Sequence, residues 1–131
     1  MCGVNCFLKR MYVRLRCTFS VIVNFMVYEF VLQEMEVYVE AGDIIVAGTD
    51  GLLDNMFPRE IEEMTKKTNK EEAMADKAQE IACTIANLAL YNSFDRFSET
   101  PFSRAARRAG RSHKGGKIDD ITIIVAYITK Q

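Results

Sequence analysis

The chain has 131 residues, 49% of them hydrophobic and 27% charged, which is the composition of an ordinary folded soluble protein. Its formal net charge of −1 excludes a general attraction to nucleic acid or to anionic membranes, so we expect neither as a partner. Four cysteines without a C-x-x-C pair, beside a single histidine, exclude the usual zinc sites and indicate reduced thiols in an intracellular compartment.

Residues 1–35 are predicted to form an atypical N-terminal segment that is poorly integrated with the rest of the chain. Its β-branched and aromatic residues show little clean alternation. The apolar run 19–32 is 14 residues long and contains Asn24 and Glu29. Because a transmembrane helix needs about 20 apolar residues, we do not expect this run to span a membrane.

Two strands are predicted next along the chain. Residues 36–40 (EVYVE) alternate strictly between polar and apolar side chains, which is typical of a half-buried strand. Residues 44–49 (IIVAGT) predict a second, mostly buried strand, and the turn residues 41–43 separate the two. This arrangement predicts a hairpin.

Two helices are predicted after these strands. Pro58 suits the first turn of a short helix that runs through Met64. Thr68 or Asn69 can cap a longer helix. One apolar face of that longer helix, with residues at steps of three and four, comprises Met74, Ala78, Ile81, Ile85 and Leu88.

A long connection, residues 94–118, leads to the last predicted strand, residues 121–128 (ITIIVAYI). Connections of this length usually carry function or are mobile. Residues 104–117 contain six Lys or Arg and no acid. Within this basic loop, the candidates for attracting a phosphorylated substrate are Arg104, Arg107, Arg108 and Arg111. The alternative is an ordinary solvated face, and nucleic-acid binding is not expected because the stretch lacks aromatic stacking partners.

Two aspartates stand at strand ends. Asp50 directly follows the strand 44–49, and Asp119 lies just before the strand 121–128. If these strands are antiparallel neighbours, the two carboxylates project from one rim of the sheet, about 5 Å apart. Converging carboxylates repel each other unless a cation lies between them, and oxygen ligands favour Mg²⁺ or Mn²⁺. The alternative is an ordinary turn at Asp50 and a solvated strand start at Asp119.

The neighbours of these aspartates have expected roles of their own. Gly51 allows the backbone to turn sharply behind Asp50. Asp120 points to the opposite face from Asp119, because side chains alternate along an extended chain.

The sequence around these aspartates resembles motifs of a known protein family. Residues 41–55 (AGDIIVAGTDGLLDN) and 115–125 (GGKIDDITIIV) are similar to two motifs of the type 2C metal-dependent protein serine/threonine phosphatases, in the right order and at a suitable separation. The resemblance covers residues 36–128 and points to the subgroup of plant plastids and of mitochondria. It implies an α+β fold, part of a β-sandwich of antiparallel strands flanked by helices, with residues 36–131 as the C-terminal part of the phosphatase domain.

The resemblance also implies functional residues. Asp50 and Asp119 match ligands of a centre that holds two or more Mg²⁺ or Mn²⁺ ions. Asp54 matches an acid close to the metals, while Gly51 and Asp120 would support the ligands from behind. The implied reaction is hydrolysis of phosphoserine or phosphothreonine in protein substrates by a metal-activated water. We expect a monomer in a chloroplast or mitochondrion, as in the subgroup, or otherwise in the cytoplasm.

Some motifs of the family are missing from this sequence. These are an early phosphate-binding arginine, an acidic pair, and the DG-x-GG segment with its bridging aspartate; apart from the two metal ligands, no catalytic residue is retained. The chain is therefore expected to be a truncated phosphatase with poor activity or none. The alternative is a non-catalytic phosphatase-like interaction protein.

Overall fold

Strands dominate the first part of the chain and helices the second. The computed structural model describes the backbone of residues 11–16, 20–23, 26–28, 34–66 and 74–129, and the side chains of residues 38–66 and 76–129. The strands are β1 Met11–Arg16, β2 Ser20–Val23, β3 Met26–Tyr28, β4 Glu34–Val39, β5 Ile44–Gly48 and β6 Ile123–Tyr127. The helices are α1 Asp50–Asn55, α2 Pro58–Lys66, α3 Met74–Phe94 and α4 Pro101–Arg108.

The strands form two antiparallel sheets. One has the order β3-β2-β5-β6 and the other pairs β1 with β4. In the larger sheet, β5 and β6 run antiparallel with Ile44 opposite Tyr127 and Gly48 opposite Ile123. The predicted neighbourhood of these two strands is therefore confirmed, and so is the α+β class.

The predicted hairpin between β4 and β5 is wrong. The turn itself forms, with Gly42 at φ 102° and the Asp43 carboxylate accepting a 2.7 Å hydrogen bond from the Glu40 amide. The amide of Gly42, however, donates to the carbonyl of Ile128, and the amide of Ile128 donates to the carbonyl of Asp43. The turn is therefore hydrogen-bonded to the residue that follows β6, and β4 pairs with β1 in the other sheet.

The expected poor integration of residues 1–35 also needs correction for the strands that are described there. β1 pairs with β4 over six residue pairs, from Met11 opposite Val39 to Arg16 opposite Glu34. β2 lies between β3 and β5. The backbone of this segment therefore contributes to both sheets.

The helices confirm the prediction in part. α2 begins at Pro58, and α3 contains the predicted apolar face. The predicted caps Thr68 and Asn69 lie outside the described residues. Two helices were missed: α1, which directly follows β5, and α4, which lies inside the stretch predicted as a long connection. α4 starts with a capping box, because the Thr100 hydroxyl accepts from the Ser103 amide and the Ser103 hydroxyl accepts from the Thr100 amide.

The core lies where α1, α2 and α3 meet the inner face of the larger sheet. Burial of apolar side chains in this core is the main source of stability, at about 25 cal/mol per Å² of apolar surface removed from water. No described helix has the length and apolar character needed to cross a membrane. The buried cluster consists of Val46, Leu52, Met56, Ile61, Ile81, Ile85 and Ala89.

Candidate metal centre

Hydrogen bonds from Thr49 join the end of β5 to the segment before β6. Its amide donates to the carbonyl of Thr122 at 3.1 Å, and its hydroxyl donates to the carbonyl of Asp120 at 2.7 Å. The same hydroxyl accepts from the Thr122 amide at 3.1 Å. Because Thr49 immediately precedes Asp50, these bonds bring the first residue of α1 beside the 119–122 segment.

Gly51 allows a close approach between α1 and that segment. A Cβ at this position would lie 2.6 Å from the Asp120 carbonyl oxygen and 3.2 Å from the Asp119 Cβ, too close for any side chain. Its φ is not in the positive range, which among the described glycines is adopted by Gly42, Gly110 and Gly115. The sharp turn expected at Gly51 is therefore not its role; the residue is small because Asp119 and Asp120 pass directly behind it.

Three carboxylates come together at this rim of the sheet. Asp50, Asp54 and Asp119 each offer an oxygen, and these oxygens lie within 4.8 Å of one another. Asp50 and Asp54 stand four residues apart on α1 and so share one face of that helix. The predicted convergence of Asp50 and Asp119 is observed, and Asp54 joins them. Oxygen donors in this number suit a hard divalent cation such as Mg²⁺ or Mn²⁺.

Lys117 also lies among these carboxylates, and this contact was not predicted from the sequence. Its Nζ is 2.7 Å from Oδ2 of Asp54 and 2.8 Å from Oδ2 of Asp119. The Lys117 ammonium, with help from the Asp120 amide, lowers the pKa of Asp119, and the two carboxylates in turn raise the pKa of Lys117. A sequence signal existed: Lys117 stands two residues before Asp119, and residues i and i+2 of an extended chain share a face.

Asn55, the last residue of α1, holds the backbone of Lys117 in place. Its side chain is 1% exposed. The amide nitrogen donates to the carbonyls of Lys117 (2.8 Å) and Gly51 (2.9 Å), while the amide oxygen accepts from the Lys117 N–H (2.9 Å). The role of Asn55 was not predicted either, since no periodicity in the sequence links positions 55 and 117.

The two glycines before Lys117 pack against the end of α3. Gly115 has φ 81°, and a Cβ there would lie 2.3 Å from the Asp95 carbonyl oxygen. A Cβ at Gly116 would lie 2.0 Å from the Asn92 carbonyl oxygen. The carbonyl of Gly115 also accepts a hydrogen bond from the buried Thr100 hydroxyl at 2.9 Å. The segment that carries Lys117 and Asp119 is therefore held from both sides, by α1 and by α3 with the start of α4.

Asp120 takes part through its backbone. Its carbonyl accepts from Thr49, and its amide donates to Oδ1 of Asp119 at 2.9 Å. Its carboxylate is not one of the three clustered groups. The expectation that Asp120 points to the opposite face from Asp119 stays a prediction.

The four candidate arginines do not form the loop that was predicted. Arg104, Arg107 and Arg108 belong to α4, and Arg111 follows it. Arg104 lies over the Phe57 ring at 4.5 Å. Arg104 and Arg107 both form salt bridges with the same carboxylate, that of Glu99. Part of the positive charge is thus compensated within the chain.

Comparison with known proteins identifies the relatives of this chain. It is 44% identical over 96 residues to probable protein phosphatase 2C 55 and 40% identical over 97 residues to probable protein phosphatase 2C 80, both of Arabidopsis thaliana. The chain belongs to the protein phosphatase 2C family. These matches cover 73% and 74% of this chain but 20% and 23% of the relatives, so the chain spans about a fifth of their length.

A solved structure of the same family has a similar fold. The X-ray structure of the photosystem II phosphatase PBCP matches with a TM-score of 0.64 and 28% sequence identity. The match covers 85% of this chain and 55% of that one. No protein-family model matches the chain. The predicted family and the partial phosphatase fold are both confirmed.

Proposed function

We propose that residues 36–131 are the C-terminal part of a metal-dependent protein serine/threonine phosphatase domain, and that Asp50 and Asp119 are ligands of its Mg²⁺ or Mn²⁺ centre. The proposal rests on the proximity of the Asp50, Asp54 and Asp119 carboxylates at one rim of the sheet. This chain is also similar in sequence to protein phosphatases 2C. Asp54 forms the third acidic group of the site.

The residues of this chain would position the ligands. Thr49 and Gly51 set Asp50 beside Asp119, because the first ties the strand ends together and the second permits a backbone contact that a larger residue would prevent. Divalent ions, when bound, lower the pKa of a water molecule and neutralise charge on a phosphoryl group. The chain therefore supplies negative charge at fixed positions, and the rest of the domain would supply the remaining ligands.

The proposed substrates are proteins that carry phosphoserine or phosphothreonine. A chloroplast location is favoured by the likeness to a photosystem II phosphatase. A role for Arg104, Arg107, Arg108 and Arg111 in attracting substrate remains a prediction. The salt bridges to Glu99 weaken it for Arg104 and Arg107, because their charges are already partly compensated.

A second candidate function is a phosphatase-like protein that binds partners without catalysis. Lys117 favours it, since its ammonium already forms salt bridges with two of the three clustered carboxylates and offsets part of their negative charge.

Metal titration of the chain tests the proposed ligands. We expect Mn²⁺ to bind in calorimetry, with a loss of at least about 10-fold in affinity for Asp50→Asn and for Asp119→Asn. Asp76→Asn, on the exposed side of α3, is the matched control and should leave the affinity unchanged. Equal Mn²⁺ affinities in all four proteins would reject the metal assignment.

A chimera tests catalysis. Residues 36–131 would replace the corresponding segment of probable protein phosphatase 2C 55, and Mn²⁺-dependent phosphate release from a phosphoserine peptide would be measured. We expect an active chimera whose activity is abolished by Asp50→Asn or Asp119→Asn and retained in Asp76→Asn. A folded but inactive chimera would support the non-catalytic alternative.

A further inference from the structure

We propose that Lys117 is a built-in competitor of the divalent ion: its ammonium holds Asp54 and Asp119 together in the metal-free protein and has to leave them when the ion binds. This inference rests on the proposed metal site and adds a control of its affinity. Lys117 is thus a positioning residue, which acts through the two carboxylates.

The contacts carry the first step. One ammonium nitrogen lies within 2.8 Å of carboxylate oxygens from two different segments, Asp54 on α1 and Asp119 before β6. Both belong to the group whose oxygens lie within 4.8 Å of one another. Asp119 is a proposed metal ligand and Asp54 its neighbour in the cluster, so an ion held there would need carboxylates that the ammonium occupies, and the two would compete for them.

The position of Lys117 is fixed by its backbone, which separates it from an ordinary surface lysine. Asn55 hydrogen-bonds both the N–H and the carbonyl of Lys117, and Gly116 is wedged against α3. The Lys117 side chain is 34% exposed, whereas Lys66, which pairs with Glu62 one turn away on α2, is 61% exposed. Less side-chain entropy remains to be lost when Lys117 forms its salt bridges.

The structure also offers the ammonium a second place. Nζ lies 5.5 Å from the centroid of the Phe102 ring, within the range in which a cation is attracted to an aromatic face. A rotation of the lysine side chain that kept this contact would release Asp54 and Asp119, which would then be available to hold an ion. Removal of Lys117 would therefore increase the affinity for the ion and decrease the stability of the metal-free protein.

The test is Mn²⁺ titration of the chain and of three variants, together with thermal unfolding in EDTA. Lys117→Met removes the charge, Lys117→Arg keeps it, and Lys114→Met removes a charge from an exposed position three residues away. We expect Lys117→Met to bind Mn²⁺ about 10-fold more tightly and to unfold at a lower temperature in EDTA. Lys117→Arg and Lys114→Met should bind like the unmodified chain.

The outcomes separate this inference from the proposed function. Mn²⁺ binding by the unmodified chain with equal or weaker binding by Lys117→Met would overturn the competitor role alone. Binding by Lys117→Met but not by the unmodified chain would support it in its strongest form. No binding by either would overturn both proposals. If Lys117→Met does not fold, Lys117→Gln takes its place with the same expected results.

Discussion

Asn55→Ala should destabilise the protein far more than the loss of one polar side chain suggests. The side chain makes three hydrogen bonds, two to the backbone of Lys117 and one to that of Gly51, and is 1% exposed. At about 0.5–1.5 kcal/mol for each bond, and with backbone groups left without a partner, we expect a loss of about 3 kcal/mol in the free energy of unfolding. For a chain of 131 residues, this corresponds to a melting temperature lower by about 10 °C.

Urea denaturation followed by circular dichroism measures this loss. Asn92→Ala is the matched control, because it removes one 3.0 Å hydrogen bond, from the Asn92 amide to the Asn55 carbonyl, and should cost about 1 kcal/mol. Equal losses in the two variants would refute the reasoning that Asn55 joins α1 to the segment of Lys117. So would a loss below about 1 kcal/mol for Asn55→Ala.

Three further substitutions probe the supports of the site. Gly116→Ala should lower the free energy of unfolding by about 1–3 kcal/mol in urea denaturation, because its Cβ would lie 2.0 Å from a carbonyl oxygen of α3. The control is Gly110→Ala, where φ is 75° and no atom lies within 4 Å of the added Cβ, so that only about 1 kcal/mol of backbone strain is expected. A larger loss for Gly110→Ala than for Gly116→Ala would contradict the close packing of Gly116 on α3. Ile85→Ala, at a side chain with 0% exposure, should lower the unfolding free energy by about 2–5 kcal/mol, against less than about 1 kcal/mol for Ile124→Ala at 53% exposure. Thr100→Ala removes the cap of α4 and the hydrogen bond to the loop and should lower the melting temperature by about 3–7 °C; an unchanged value would show that the cap does not hold that segment.

The amino-acid sequence was enough to predict several of the secondary-structure elements, the shared rim of the two aspartates and the family. Apolar side chains at steps of three and four predict the buried face of α3, because that spacing follows the turn of a helix. Apolar runs predict β5 and β6, and the positions of Asp50 and Asp119 beside them predict a shared rim, since antiparallel neighbours bring the end of one strand to the start of the other. The two motifs predict the family.

Local pattern was misleading where distant contacts stabilise a segment. α1 has six residues with a glycine at the second position, and Gly costs about 1 kcal/mol in a helix. The helix forms because Leu52, within it, and Met56, the residue after it, are buried in the core. In addition, Asn55 forms a hydrogen bond with Lys117, 62 residues away. α4 carried a start signal at Thr100 and Pro101 that the basic residues after it obscured.

The local chemistry of the rim depends on the tertiary structure. The strand ends predicted that two acids lie together, but folding also brings Lys117 into contact with Asp54 and Asp119. Asp54 and Lys117 are 63 residues apart, and their meeting requires α1 to lie against the 115–120 segment through Gly51 and Asn55. Side-chain periodicity reports which face of one element is buried; which charges meet across two elements depends on how closely their backbones pack.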